Sequence, residues 1–153
     1  MVSFLLNKYK KTDVKESIKT ISHVDKNIDN VTKEIKVYNE QDHLNNVSPE
    51  IVELYEKFKN AIQNLDNIEI KPKKKYIAFV YGHNVIDILP QKKALKMWIN
   101  MSKGELDDSK KLTRDVSSTG HWGNGDYEIQ TNNDDDLEYI LSLVKQSIKK
   151  NKK

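Results

Sequence analysis

The side chains best suited to chemistry lie in one short run, GHWGNGD, from Gly120 to Asp126. Its three glycines allow backbone to approach a ligand closely and to take torsion angles that other residues avoid. Among them stand an imidazole, His121, an indole, Trp122, that can stack on a nucleobase, and an amide, Asn124, that can pair bidentately with adenine. Two arrangements suit this string. In one it forms a pocket for a nucleotide or base. In the other Asn124 and Gly125 make a tight turn into the next strand, Trp122 plugs the core, and His121 bonds a backbone carbonyl.

Arg114 is the second candidate, because it is the single arginine among 26 basic residues. A guanidinium kept where lysine is the default suits a site that needs its planar, two-pronged donor set. It could clamp a phosphate or carboxylate, or tie its own loop to Glu105, Asp107 or Asp108. Lys92 and Lys93, together with Lys96, would stand near it if the sheet curls, and Lys71, Lys73, Lys74 and Lys75 precede the first strand expected. Such cations could contact phosphates with salt-dependent affinity. Lysine, asparagine and isoleucine are all abundant, however, as in proteins from AT-rich genomes, and solvated lysine is the ordinary surface of such a chain.

His83, His121, Asp87, Asp107, Asp108 and Asp126 could supply a metal or acid/base site. Their spacing matches no metal or catalytic motif, and the expected strands scatter them. Asp134, Asp135 and Asp136 lack the glycine and distal glutamate of a calcium loop and read as a helix cap. No catalytic residue, metal or cofactor is therefore assigned.

The elements that must position these groups follow from periodicity. With 153 residues, 37% hydrophobic and 32% charged, the chain has material for one modest core. Residues 1–43 have sparse, irregularly spaced apolar positions and read as a weakly structured arm or linker. Residues 44–150 read as one α+β domain, and residues 151–153 as a disordered tail. Ser48 and Pro49 open a helix in which Ile51, Leu54, Tyr55, Phe58, Ala61, Ile62 and Leu65 recur on one face. Strands are expected at YIAFVY (Tyr76 to Tyr81), VIDIL (Val85 to Leu89), ALKMWINM (Ala94 to Met101) and DYEIQT (Asp126 to Thr131). The stretch from Ser102 to Ser118 is a loop followed by a short helical or extended piece. A final helix buries Leu137, Ile140, Leu141, Val144 and Ile148. The expected architecture is an antiparallel sheet of about four strands with the N- and C-terminal helices packed on one face.

The strings YIAFVYGHNVIDILPQKKALKMWINM, KGELDD and RDVSSTGHWGNGDYEI, followed by DLEYILSLVKQSI, resemble an uncharacterised bacterial and archaeal domain family. The resemblance runs from about His43 to Lys149. It implies a domain found at the C-terminus of proteins labelled "predicted transport protein" and beside modules of modification-dependent restriction systems. In longer relatives a nuclease-like domain precedes it, and Val2 to Val37 is similar to the linker that would follow such a domain. The chain is expected to begin after that domain, so its carboxylates have no counterpart here. The family supplies no catalytic residues to place.

Cysteine is absent, which excludes disulfides and thiolate chemistry. No apolar run is long enough for a membrane span, and the N-terminus has no signal-peptide pattern, so a cytoplasmic protein is expected. The functional expectation is a non-catalytic recognition module of a defence or restriction-type system. It would bind nucleic acid or a nucleotide through His121, Trp122, Asn124, Arg114, Lys92 and Lys93. The alternatives are a structural or protein-interaction domain, with residues 1–43 docking on a protein partner or forming a homodimer, and an unrecognised hydrolase.

Overall fold

The computed structural model describes residues 37–152. The expected arm, with its proposed part in dimerisation or partner docking, falls almost wholly outside the described residues. A short helix, α1 (Glu40–Leu44), straddles the boundary drawn at residue 43. It is held by a reciprocal cap: Asn39 Oδ1 accepts from the Asp42 amide, and Asp42 Oδ2 accepts from the Asn39 amide, both at 2.9 Å.

The second helix, α2 (Pro49–Gln63), begins where Ser48 and Pro49 predict. Ser48 has extended backbone angles, but its side chain makes no cap bond, and its carbonyl instead accepts from Ile51 and Val52. Ile51, Leu54, Tyr55, Phe58 and Ile62 are buried, while Ala61 and Leu65 are partly so. Tyr55 donates to Glu40 Oε1 at 2.6 Å, and the Lys59 ammonium reaches the same carboxylate at 3.0 Å. Burial and the neighbouring carboxylates push the Tyr55 phenol far above its ordinary value. It therefore acts as a donor that pins α1 to α2.

Six strands follow, two more than the sequence suggests: β1 (Glu69–Pro72), β2 (Ile77–Tyr81), β3 (His83–Pro90), β4 (Leu95–Ile99), β5 (Arg114–Asp115) and β6 (Tyr127–Thr131). They form one antiparallel sheet in the order β1-β2-β3-β4-β6-β5. The two unexpected strands are its edges. β1 alternates, with Glu69 and Lys71 exposed and Ile70 and Pro72 half-buried, but it is only four residues long and ends in a proline, and β5 has two exposed residues and no apolar position at all. The final helix, α3 (Leu137–Asn151), starts after Asp136, whose side chain makes no cap bond, and runs one residue into the expected tail.

Helices and sheet share one core. Ile77 and Phe79 from β2, Ile86 and Ile88 from β3, Leu95, Met97 and Ile99 from β4, and Ile129 from β6 meet α2 and the Ile140, Leu143, Val144 and Ile148 side of α3. The alternating residues of those strands face the other way. One β-bulge interrupts the alternation: Phe79 pairs with Ile86 but Val80 pairs with Asn84, leaving Val85 as the extra residue. Without it, Asn84 would share parity with Ile86 and Ile88 and point into the core. The bulge turns Asn84 to the polar face, beside Asp87.

Two substitutions measure this packing by chemical unfolding. Phe58→Ala should cost about 3–5 kcal/mol, as for other buried aromatics. Tyr55→Phe keeps the ring but loses the bond to Glu40 and should cost about 1 kcal/mol.

Candidate functional site

The face away from the helices carries a row of residues in register across all six strands. Lys71 of β1 pairs with Ala78, Ala78 with Asp87, Asp87 with Trp98, Trp98 with Glu128 and Glu128 with Arg114. A buried Trp, a buried Asp and a buried Glu on a face that no helix covers require another cover. The GHWGNGD loop provides it.

Asp87, with no exposed surface, is the loop's anchor. Its Oδ2 accepts from the backbone amide of Asn124 at 2.6 Å and from the Asn124 side-chain amide at 3.1 Å, while Oδ1 accepts from Asn84 at 2.9 Å. The Asn124 amide also donates to the Tyr76 hydroxyl at 3.1 Å. Burial raises the Asp87 pKa to about 6, against the lowering effect of these bonds and of the Lys73 charge. At neutral pH the group is thus mainly a carboxylate whose desolvation is offset by three N–H donors.

The glycines let the loop lie flat. A Cβ on Gly123 would stand 2.3 Å from Trp98 Cε3, so that residue must be glycine for the loop to rest on the indole. Gly125 has φ +94°, and a Cβ there would meet the Ile99 carbonyl oxygen at 2.1 Å. In place of a tight Asn124–Gly125 hairpin turn, the chain bends from Trp122 to Asp126, and the Asp126 amide donates to the Met101 carbonyl at 3.0 Å before β6 begins. His121 stacks on Trp98, with ring centroids 6.2 Å apart and an interplanar angle of 21°. Its Nδ1 is buried without a hydrogen-bond partner.

Trp122 is not the plug. It is 59% exposed, and the Lys75 ammonium lies 4.6 Å from its ring centroid. Trp98 takes the buried position instead, its indole donating to Glu128 Oε1 at 3.1 Å. Between them opens a cleft of about 450 Å³ lined by Lys96, Trp98, Arg114, Gly120, His121, Trp122 and Glu128. Arg114 reaches it from the edge strand and pairs with Glu128 Oε2 at 3.1 Å.

That pairing replaces the internal bridges expected for Arg114. Glu105 binds Lys150, Asp107 exchanges bonds with Gln146, and Asp108 accepts from Thr113, Leu112 and Tyr139. The structure thus brings together His121, Trp122 and Arg114, with Lys96. It turns Asn124 toward Asp87, and it leaves Lys92 and Lys93 exposed in the β3–β4 turn, outside the cleft lining. The Lys92 carbonyl accepts from Ser48 there and joins the turn to the start of α2. Trp98, Glu128 and Tyr76 join the site without a motif in the sequence to mark them. The signal for two of them was parity: Trp98 alternates with the core residues Met97 and Ile99, and Glu128 with Ile129.

Among the described residues no three of His, Asp and Glu cluster as metal ligands, and no helix is long and apolar enough to cross a membrane.

The chain belongs to a family defined as a domain of unknown function (DUF5655), whose model matches residues 40–150. It is also 52% identical over 145 residues to an uncharacterized protein of Haemophilus influenzae, covering 94% of this chain and 48% of that protein. The chain therefore spans about half the length of that relative, and the similarity extends beyond the bounds of the family domain. No solved structure matches.

Two measurements test how the loop is fastened. Gly123→Ala should force the loop off Trp98, lowering stability by about 1–3 kcal/mol and opening Trp98 to acrylamide quenching. Asp87 should make stability depend on pH. Its folded pKa lies above the unfolded value of 3.8, so its contribution is full below that value and is lost as pH rises through about 6. Relative to Asp87→Asn, the wild type should therefore lose on the order of 3 kcal/mol between acidic and neutral pH. A pH-independent difference in urea unfolding would contradict the buried carboxylate.

Proposed function

We propose that this domain is a non-catalytic recognition module that holds an unpaired nucleobase or nucleotide in the Trp122 cleft. The observation that carries the reading is the exposed Trp122 ring standing over a cleft whose other members include the Arg114 guanidinium and the Lys96 ammonium. An indole face offers stacking to any base, and the two cations offer partners for a phosphate. The cleft's size is in the range of small-molecule sites, roughly 300–1,000 Å³. A base stacked within a duplex has no free face for Trp122, which favours a single strand or an extruded base.

Glu128 supports holding rather than reacting. It is the one carboxylate in the cleft lining, and its two oxygens are engaged by Trp98 and Arg114. Asn124 acts from behind, as a positioning residue that fixes the loop. The placement of such a module in a defence or restriction-type system rests on the family resemblance, and cytoplasmic residence accords with it.

Titration with single-stranded DNA and with duplex DNA carrying a modified base, at low salt, tests the reading. Single strands should bind, and Trp122→Ala should weaken binding about tenfold or more, since stacking contributes about 1–3 kcal/mol per base. Absence of binding, or binding indifferent to Trp122→Ala, would refute it.

A further inference from the structure

We infer that the polar face carries a second subsite, for phosphate, which extends the Trp122 cleft into a track for single-stranded nucleic acid; this inference rests on the reading of that cleft. The subsite is a hollow of about 350 Å³ on the far side of the anchored loop, bounded by Lys71, Lys73, His83, Asn84, Asn100 and Asn124 among others.

Its chemistry differs from that of the hollows beside α3. One of those is lined in part by Asp135 and Asp136 with no cation, and another sets Glu105 and Asp107 against Lys149 and Lys150, so neither lining carries a net positive charge. The ionisable groups lining the present hollow are two lysines and a histidine, with no carboxylate. Lys71 does have an exposed partner, Glu69, at 3.6 Å. An exposed pair of that kind is weak enough for a phosphate to compete with. The Asn84 and Asn124 amides lining the hollow already donate to Asp87, and Asn100 donates to the Asn84 carbonyl at 2.6 Å, so these walls are fixed before any ligand arrives.

Position links the two sites. Asn124 lines this hollow, and Trp122, two residues earlier on the same loop, lines the cleft. Lys71 is in register with Ala78, Asp87 and Trp98, three strand spacings from the indole that floors the cleft. At 4.7–4.9 Å per strand that is about 14 Å. A mononucleotide whose base rests on the Trp98 floor does not reach Lys71 across this span, whereas a short oligonucleotide does. Lys75, whose ammonium lies 4.6 Å from the Trp122 ring centroid, is two residues from Lys73 in the chain. The ligand class is therefore an oligonucleotide strand whose base enters the cleft and whose neighbouring phosphates meet Lys71 and Lys73.

The test compares thymidine monophosphate with a short oligothymidylate by tryptophan fluorescence, using the wild type, the Lys71→Ala/Lys73→Ala double variant and Trp122→Ala. The oligomer should bind at least fivefold more tightly than the monomer. The double variant should erase that advantage, leave the monomer unchanged and reduce the salt slope for the oligomer by about 1.4, the value for two lost phosphate contacts on a single strand. An oligomer bound no more tightly than the monomer, or a double variant that weakens neither ligand or both alike, overturns the track and leaves the cleft reading standing. Indifference of both ligands to Trp122→Ala, or binding of neither, overturns the cleft reading and the track with it.

Discussion

The Asp87 carboxylate, buried in the middle strand row of the uncovered face, is the interaction on which the functional surface depends. Burying a carboxylate is expensive unless its lone pairs are met, and the donors that meet it come from two directions. Asn84 reaches it only because the bulge at Val85 reverses the strand's parity, and Asn124 reaches it only because the loop lies down on the sheet. The cost of the buried charge and the position of the loop are one arrangement. Losing the Asn84 amide takes from Oδ1 the bond it accepts, whereas losing the Asn124 side-chain amide leaves Oδ2 with the backbone N–H alone.

This fastening explains how a sheet with helices on one side can have a buried tryptophan on the other. Trp98 is covered by Gly123 and His121, and its indole proton is taken by Glu128. Glu128 is in turn held by Arg114 from a two-residue edge strand. The chain of contacts from Asp87 to Arg114 follows the hydrogen-bond direction of the sheet, so the register of three pairings, Asp87 with Trp98, Trp98 with Glu128 and Glu128 with Arg114, sets the geometry of the cleft. Trp122 lies outside this chain of contacts, and is the large aromatic side chain that the loop leaves half in solvent.

Much of the scaffold is legible in the residue pattern, because burial imposes periodicity. The face of α2 from Ile51 to Ile62, the face of α3 from Ile140 to Ile148 and the four inner strands all follow from apolar spacing. The edge strands are harder to read, since Glu69–Pro72 offers a four-residue alternation that ends in a proline and Arg114–Asp115 offers none. The candidate site was legible in part. Glycine, histidine and tryptophan in one run identified the loop, and the lone arginine identified Arg114. What periodicity could not supply was which tryptophan is covered and which is exposed, or that Asn124 faces a carboxylate thirty-seven positions away. Those depend on pairings between distant strands and on a bulge that carries no sequence marker of its own. The same reason displaces Lys92 and Lys93: only a curl of the sheet would bring them near Arg114, whereas the turn that carries them is tied to α2.

An anchored loop presents Trp122 over a cleft lined by Trp98 and Arg114, the cleft we propose for an unpaired base. The protein has two tryptophans, so its nitrogen–proton correlation spectrum has two indole signals, one from each wall of the cleft. Addition of a single-stranded oligonucleotide to isotope-labelled protein is predicted to shift both indole signals together with the Arg114 side-chain and Gly120 to Gly123 amide signals. Shifts confined to α3 or to the β3–β4 turn, with both indoles unmoved, would contradict it.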